Sequence, residues 1–440
     1  MSDVLERSGP AEALARELER EIASGRLLPG AQLPTVRHLA GERGISPATV
    51  ASAYKTLQRR GIIISAGRRG TRVADRPPLG LAAAPPPIAP GARNVADGNP
   101  DPELLPDLQD VLGRLTLGRP ILYGDDTIVA RLDQLARDSF AADGIPSDRV
   151  ALTYGALDAI DRILSTRLSA GDLVVVEDPC YPAVLALVRS LSLIPVPCPI
   201  DDEGLVPDAL ERALGQDVQA LILTPRAQNP FGSALTDARR GALSAVLEQH
   251  PGVAILEDDH ASAVAGAPAQ TLTRGRRSWA VIRSVTKTYG PDLRLALVTG
   301  DDETVSLLQG RIAVSAGWVS TILQRILVEA MLDQGVADQV ARAAVLYEQR
   351  RRALLDGLAD RGVPAHGASG FNVWLPVADE GATLAHLAAA GWAAASGAPS
   401  RIAAAPAVRI TTARMDPADA EPLAAVIAAS QSPTFAGRGA

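Results

Sequence analysis

Residues 284–300 read SVTKTYGPDLRLALVTG and decide the fold of most of this chain, because a turn rich in hydroxyl groups separates two strand-like apolar runs. Lys287 lies in that turn. Of the 43 basic residues 41 are Arg, and the only lysines are Lys55 and Lys287. An amine can lose its proton and attack an aldehyde, whereas a guanidinium stays protonated. Lys287 is therefore a candidate for imine chemistry, with chance retention of two lysines as the alternative.

The sequence on either side of this turn alternates apolar runs with helical patterns. The runs are VALTY, LVVVED, ALILT, VAILED and AVIRSV. This alternation predicts a mainly parallel α/β sheet. Longer helices are expected over residues 302–361, and FNVWLPV then opens a smaller α+β segment that includes VRITTA. A chain of 440 residues with 47% apolar content predicts two or more domains.

A linker rich in Pro and Ala marks the domain boundary, since residues 74–92 read ADRPPLGLAAAPPPIAPGA without apolar periodicity. Before it, three helical patterns and a hairpin with a basic tip predict a winged helix. The predicted domains are a head over 1–76, a linker over 77–94 and a main domain over 95–440, with a small subdomain at about 362–430.

Charge and composition restrict the partners. Residues 1–76 hold 13 Arg and Lys against 8 Asp and Glu, whereas the remainder holds 30 against 42. A basic head on an acidic body predicts that only the head meets DNA. The sequence has no long uncharged apolar segment and no secretory signal, so a cytoplasmic protein without a membrane partner is expected. Cys180 and Cys198 lack metal-ligand spacing; buried reduced thiols and no metal are expected.

Residues 11–74 resemble the winged helix of the GntR family of bacterial repressors, most clearly in LPTVRHLA at 33–40, SPATV at 46–50 and Gly70-Thr71. The resemblance implies contacts with double-stranded operator DNA. The residues expected near base edges are Ser46, Ala48 and Thr49, and those expected near phosphates are Arg37, Lys55, Arg68 and Arg69. Pro47 stands where many members carry a polar residue, which weakens any expected sequence preference.

Residues 95–430 resemble class I aminotransferases of fold type I, and a GntR head joined to such a domain is the arrangement of MocR-type regulators. The resemblance implies an α/β fold, with a mainly parallel large domain and a smaller α+β C-terminal domain, that binds pyridoxal 5'-phosphate on Lys287. The implied phosphate ligands are Gly155, Ala156, Ser284, Thr286 and Arg294. The implied ring contacts are Asp258, His260, Asn229 and Tyr181.

Two further residues carry implications about ligands and assembly. Arg409 matches the Arg that grips a substrate carboxylate, which implies an amino acid or amine effector; a surface ion pair is the alternative. Tyr123 resembles the aromatic that reaches the phosphate of a neighbouring subunit, which implies a homodimer. The Gly and Leu-Arg that follow this Tyr in the family are replaced here by DDTIVARL.

The ring site also departs from the family pattern. His260 stands where MocR-type chains usually carry Tyr, and its ionisation near neutral pH is expected to affect cofactor titration, unless its side chain turns away. Tyr181 is expected to stack on the ring, with core packing as the alternative. Asn229 is typical of genuine aminotransferases rather than of regulators.

Three functions follow from this pattern. The leading hypothesis is a PLP-dependent transcriptional regulator that senses an amino compound through an aldimine at Lys287. The alternative is an active PLP-dependent aminotransferase that carries a DNA-binding head. A repressor whose C-terminal domain serves only for dimerisation fits poorly with so complete a cofactor set.

Overall fold

The computed structural model describes residues 10–23, 27–28, 30–59, 62–65, 70–73 and 88–431. The helices are α1 Pro10–Ala23, α2 Val36–Arg43, α3 Pro47–Arg59, α4 Gln109–Arg114, α5 Ala130–Ala142, α6 Ala156–Arg167, α7 Pro182–Ser190, α8 Pro207–Leu214, α9 Asp237–Glu248, α10 Thr286–Tyr289, α11 Asp302–Ala313, α12 Thr321–Leu332, α13 Gln334–Ala359, α14 Glu380–Ala389 and α15 Ala420–Ser430. The strands are β1 Ile63–Ser65, β2 Thr71–Val73, β3 Arg93–Asn94, β4 Val150–Thr153, β5 Leu173–Asp178, β6 Ile194–Asp201, β7 Gly204–Leu205, β8 Val218–Leu223, β9 Ala254–Asp259, β10 Trp279–Ser284, β11 Ala296–Gly300, β12 Asn372–Pro376, β13 Trp392–Ala393, β14 Ala395–Ser396 and β15 Ala407–Thr411.

The N-terminal head is the predicted set of three helices followed by an antiparallel hairpin, in which β1 pairs with β2. Its helix starts follow from the sequence. Thr35 caps α2 by accepting a hydrogen bond from the His38 amide, and the Ser46 hydroxyl accepts one from the Thr49 amide at the start of α3. The apolar residues of all three helices and the hairpin share one core, which includes Leu18, Leu57 and Ile63.

An eight-stranded sheet forms the centre of the main domain, in the order β4-β11-β10-β9-β8-β5-β6-β7. Strands β10, β9, β8, β5 and β6 pair in parallel, whereas β11 is antiparallel to both β10 and β4, and β7 is antiparallel to β6. The predicted mainly parallel sheet is confirmed. Because successive residues of a strand point to opposite faces, Val175 joins one core and Val174 and Val176 join the other. Helices therefore cover both faces.

The small subdomain follows the long helix α13. Its three-stranded antiparallel sheet has the order β12-β15-β14, and α14 and α15 cover it. The strand β3 also belongs here, since Arg93 and Asn94 pair in parallel with Trp392 and Ala393. The last two residues of the predicted linker over 77–94 thus pair with β13 of the small subdomain. Residues 74–87 of that linker lie outside the described residues.

Two further observations concern the described part of the chain. No helix in it is long and apolar enough to cross a membrane. It also holds no group of three or more His, Cys, Asp or Glu side chains placed to bind a metal ion. Cys180 and Cys198 are buried and free of any disulfide.

Candidate functional site

The sheet topology brings the predicted cofactor residues to one edge. Strands β5, β8, β9 and β10 are parallel, so the segments that follow their carboxyl ends meet there, as ligand sites of open α/β sheets do. Tyr181 follows β5, Asn229 follows β8, Asp258 and His260 stand at the end of β9, and Lys287 follows β10. Arg409 comes from β15 of the small subdomain and reaches the same place, where its Nη1 donates to Asn229 Oδ1 at 3.3 Å.

Lys287 lies in the short helix α10, in a largely buried position. Its Nζ donates a hydrogen bond of 2.8 Å to the carbonyl of Gly98 and lies 5.6 Å from the centre of the Phe371 ring. Burial, followed by the charge of Arg409, lowers the pKa of Lys287 to about 8, against an opposing effect of Asp97. A substantial fraction of this amine is therefore neutral at physiological pH and able to act as a nucleophile.

Asp258 and Asp259 differ in their partners. Asp259 accepts hydrogen bonds from Arg226 Nε at 2.8 Å and Arg283 Nε at 2.9 Å. Burial alone would raise the pKa of Asp259, but the hydrogen bonds and charges of these arginines outweigh burial and lower it. Asp258 is also buried, and its Oδ1 has no hydrogen-bond partner. Burial and the neighbouring Asp259 raise the pKa of Asp258 to about 7.

His260 is neutral in this site. Burial, followed by the charge of Lys287, lowers the pKa of His260 to about 4, and Asp259 opposes this only in part. The expectation that His260 ionises near neutral pH is wrong, because a buried imidazole next to a cation loses its charged form. A neutral imidazole still offers one N–H donor.

The predicted phosphate ligands gather around the start of α6. Ala296 of β11 pairs with Thr153 on one side and with Ser284 on the other, so the segments after β4 and β10 lie close together. Arg294 Nη2 donates to the carbonyl of Tyr154 at 3.2 Å, and Ser284 Oγ lies 3.0 Å from Thr286 Oγ1. Gly155 is the N-cap residue of α6 and Ala156 is its first residue, at the end of the helix where free N–H groups favour an anion.

Gly155 leaves the space that such an anion needs. Its φ is +107°, and a Cβ placed on it would come within 2.9 Å of Arg294 Nη2. Pyridoxal phosphate requires donors for its phosphate, an acid for its ring nitrogen and an amine for its aldehyde. The start of α6 provides the donors, Asp258 the acid and Lys287 the amine. The residues present fit the cofactor.

Two aromatic residues lie at the margins of the site. Tyr181 is 39% exposed and sits at the start of α7, close enough for Asp258, Arg409 and Arg294 to affect its pKa, which burial raises. Tyr123 is 94% exposed and packs edge-on against Trp318 at 5.4 Å. Within one chain Tyr123 therefore does not join the other site residues.

Sequence reasoning missed three residues of this site. Gly98 provides the carbonyl that accepts from Lys287, Phe371 lies beside the amine, and Asn372 Nδ2 donates to Asn229 Oδ1 at 3.5 Å. Asn372 opens the predicted strand FNVWLPV, so its position beside the site follows from tertiary pairing only. The segment NVADGNP at 94–100 carries a loop signal, but nothing in its composition points to Lys287.

The predicted DNA contacts divide into described and undescribed residues. Arg37, Ala48 and Lys55 are exposed on α2 and α3. Ser46 is exposed as well, but its hydroxyl is engaged with Thr49, whose Oγ1 lies 2.8 Å away. Arg68 and Arg69 of the hairpin tip lie outside the described residues.

Comparison with known proteins agrees with this architecture. Residues 10–73 match the family described as bacterial regulatory proteins of the gntR family, and residues 122–427 match aminotransferase class I and II. The chain is 36% identical to the vitamin B6 salvage pathway transcriptional repressor PtsJ of Salmonella typhimurium, over 95% of this chain and 97% of that repressor. The chain belongs to the MocR-type regulators.

The chain is also similar to a second regulator and, in its main domain, to a solved aminotransferase structure. It is 26% identical to the probable rhizopine catabolism regulatory protein MocR of Rhizobium meliloti, over 78% of this chain and 76% of that protein. The crystal structure of a kynurenine aminotransferase from Pyrococcus horikoshii superposes with a TM-score of 0.70 at 21% identity, covering 77% of this chain and 90% of the other. The latter similarity establishes the fold of the aminotransferase-like domain. The chain is thus a DNA-binding transcriptional regulator with an aminotransferase-like domain.

Proposed function

We propose that this regulator holds pyridoxal phosphate through a covalent bond to Lys287 and changes its affinity for operator DNA when an amino compound enters the site. The observation that carries the proposal is the buried Oδ1 of Asp258, which has no partner in the protein. An unpartnered buried carboxyl oxygen is costly unless a ligand completes its hydrogen bonds. The pyridine nitrogen of the cofactor is the donor that suits it.

The protein residues divide the work of holding this cofactor. When bound, pyridoxal phosphate supplies an aldehyde for imine formation and a ring that withdraws electrons. Asp258 keeps the ring nitrogen protonated. His260 and Asn229 form hydrogen bonds to the phenolic oxygen of the ring, and Tyr181 stacks on the ring face. The residues proposed to hold the phosphate are Gly155, Ala156, Ser284, Thr286 and Arg294.

Arg409 defines the chemical class of the effector. Its Nε is buried without a partner, and both of its Nη atoms point to neutral oxygens, those of Asn229 and Ala96. Burial lowers the pKa of this guanidinium, although the nearby Tyr181 and Asp97 act in the opposite direction. A carboxylate would complete it by a bidentate pair, so we propose an amino acid as the effector.

The similarity to a repressor of vitamin B6 salvage supports a second candidate for the signal, namely the cofactor itself. In that case binding of pyridoxal phosphate at Lys287 is sufficient to shift operator affinity, and a ligand of Arg409 is not needed for the shift. Operator affinity measured with pyridoxal phosphate alone and with pyridoxal phosphate plus amino acids separates the two candidates.

Assembly as a homodimer is part of the proposal. Tyr123 is almost fully exposed, and Leu122 beside it is 65% exposed, which is typical of residues that another subunit covers. In a dimer Tyr123 would reach the phosphate site of the partner. Light scattering on the full chain tests the stoichiometry.

The test uses the purified full chain. With pyridoxal phosphate it should develop a visible absorption band that Lys287→Ala abolishes; a wild-type protein that stays colourless contradicts the proposal. Amino donors and keto acids are then added. Repeated conversion of the cofactor over many cycles favours the aminotransferase alternative, which the complete set Lys287, Asp258, Asn229 and Arg409 supports. A shift in operator affinity without turnover supports the regulator.

A further inference from the structure

Residues 96–98, here called the strap, connect the small subdomain to both ligand-binding residues of the site. We propose that the strap is the relay that reports occupancy of Lys287 and Arg409 to the DNA-binding head. This inference rests on the proposed function, because it explains how a ligand at that site reaches the operator.

The upstream end of the strap is fixed to the small subdomain. The Val95 amide donates to the Ala393 carbonyl at 2.9 Å, and the Val95 carbonyl accepts from the Thr411 amide at 2.7 Å. Arg93 lies over the Trp392 ring at 4.6 Å. The strap is therefore continuous with β3, the first described strand after the head.

The strap itself is held by the two residues that a ligand would engage. Arg409 Nη2 donates to the carbonyl of Ala96, and Lys287 Nζ donates to the carbonyl of Gly98 at 2.8 Å. The approach is close, since Gly98 has a φ of +67° and a Cβ on it would lie 3.3 Å from Arg409 Nη2. No larger residue fits this conformation without strain.

Ligand binding competes with both bonds. When Lys287 Nζ forms a C=N bond to an aldehyde carbon, the amine gives its two N–H hydrogens to the aldehyde oxygen, which leaves as water. The carbonyl of Gly98 then has no hydrogen-bond donor from Lys287. A carboxylate bound in bidentate fashion needs two of the three guanidinium nitrogens. The Nε of Arg409 has no partner, but both Nη atoms are engaged, so a bidentate pair must involve at least one engaged Nη atom. Attachment of the aldehyde thus removes the donor to the Gly98 carbonyl, and a bidentate carboxylate competes for the Arg409 group that donates to the Ala96 carbonyl.

Along the chain, the strap lies at the start of the main domain, after the segment that connects it to the head. The last strand of the head, β2, ends at Val73, and the next described strand, β3, begins at Arg93. Residues 74–87 between them lie outside the described residues. A ligand shifts an equilibrium only through differential contacts, and a ligand that engages Lys287 or Arg409 competes with a strap bond present in the ligand-free structure.

The test compares two variants in the absence of any cofactor. Lys287→Ala removes the bond to Gly98 just as loading does, whereas Lys287→Arg keeps N–H donors and cannot form an imine. The probe is a labelled duplex from the region upstream of the protein's own coding sequence. Cofactor-free Lys287→Ala should bind the duplex like wild type loaded with pyridoxal phosphate, a shift in affinity of roughly five- to hundredfold. Lys287→Arg should bind it like cofactor-free wild type. Backbone hydrogen exchange at residues 94–99 should rise in Lys287→Ala.

The outcomes separate the relay from the proposed function. If loading shifts the wild type but Lys287→Ala keeps the cofactor-free affinity and exchange, the relay is wrong and the function stands. If Lys287→Ala shifts while wild type shows neither a visible band nor a response to cofactor, the proposed function is wrong and the relay has no ligand to report; only the coupling of the strap to operator affinity stands. If nothing shifts, both are wrong.

A second pair of variants leaves both ligand-binding residues intact. Arg414 pairs with Asp97 in the middle of the strap at 2.6 Å, and Arg361 makes a comparable exposed pair with Glu421 in the same subdomain. Arg414→Gln should raise exchange at residues 94–99 and move cofactor-free operator affinity toward the loaded value. The matched control Arg361→Gln should do neither; equal effects from both contradict the relay.

Discussion

Asp258 and Asp259 are adjacent in sequence and similarly buried, at 6% and 2% exposure, but they do different work. The carboxylate of Asp259 is enclosed by Arg226 and Arg283, so it stabilises the fold. Asp258 lacks such a partner and has a raised pKa, which is characteristic of a group reserved for a ligand. Strand alternation explains the difference, since neighbouring side chains of β9 point to opposite faces.

Matched substitutions separate these two roles. Asp259→Asn should lower the free energy of unfolding by up to about 3–5 kcal/mol, because only the partly exposed Asp143 then remains to pair with the two buried arginines. Asp258→Asn should be at least as stable as wild type above pH 7, where the wild-type carboxylate carries a buried charge. Its affinity for pyridoxal phosphate should fall by about ten- to hundredfold, through the loss of one charge-assisted hydrogen bond. Denaturant titration and visible absorbance measure these effects; a large loss of stability in Asp258→Asn contradicts the assignment.

The pKa of Lys287 predicts the pH dependence of cofactor attachment. Attachment requires the neutral amine, and a pKa of about 8 makes the neutral fraction rise with pH and level off above that value. The initial rate of formation of the visible band should increase about tenfold from pH 6 to pH 7 and little above pH 9. His260, with a pKa of about 4, should add no inflection in this range. A second inflection between pH 6 and 7 that His260→Gln removes would contradict the buried, neutral histidine.

Among the structural elements, those with strong local signals are the ones that sequence alone predicted. The capped helices α2 and α3, the parallel strands and the turn that carries Lys287 all follow from periodicity and cap residues. β3 was missed because two residues have no periodicity, and their pairing partner lies almost 300 residues away in the chain. The contacts of Gly98 and Asn372 depend on the same long-range packing, as does the suppression of the His260 pKa by burial.

The turn between β4 and α6 offers a test at the level of a single element. Gly155→Ala places a Cβ against Arg294 and adds backbone strain, so the dissociation constant for pyridoxal phosphate should rise at least tenfold. Gly391→Ala is the control, because Gly391 also has a positive φ of +84° but nothing lies within 4 Å of its Cβ position. Spectroscopic titration of both variants distinguishes strain from crowding. Equal cofactor affinities in the two variants would argue against a phosphate site at Gly155.

For the molecule as a whole, the basic head and the acidic body predict that DNA binding depends on salt through the head. Arg37 is exposed on α2, whereas Arg43 on the same helix is paired with Glu17 at 2.5 Å. Arg37→Ala should weaken binding to all sequences and reduce the slope of log affinity against log salt by about one. Arg43→Ala should leave that slope unchanged. Fluorescence anisotropy at several salt concentrations measures both, and a wild-type slope near zero would contradict DNA binding by this head.

The central claim is that occupancy of Lys287 and operator binding are coupled in one molecule. Coupling between two ligands is reciprocal, so operator DNA must change cofactor affinity by the same factor that the cofactor changes operator affinity. The most direct measurement is the dissociation constant of pyridoxal phosphate for the full chain, read from the visible band with and without saturating operator duplex. We predict that the duplex changes this constant by roughly five- to hundredfold. Identical constants in the presence and absence of the duplex would contradict the claim.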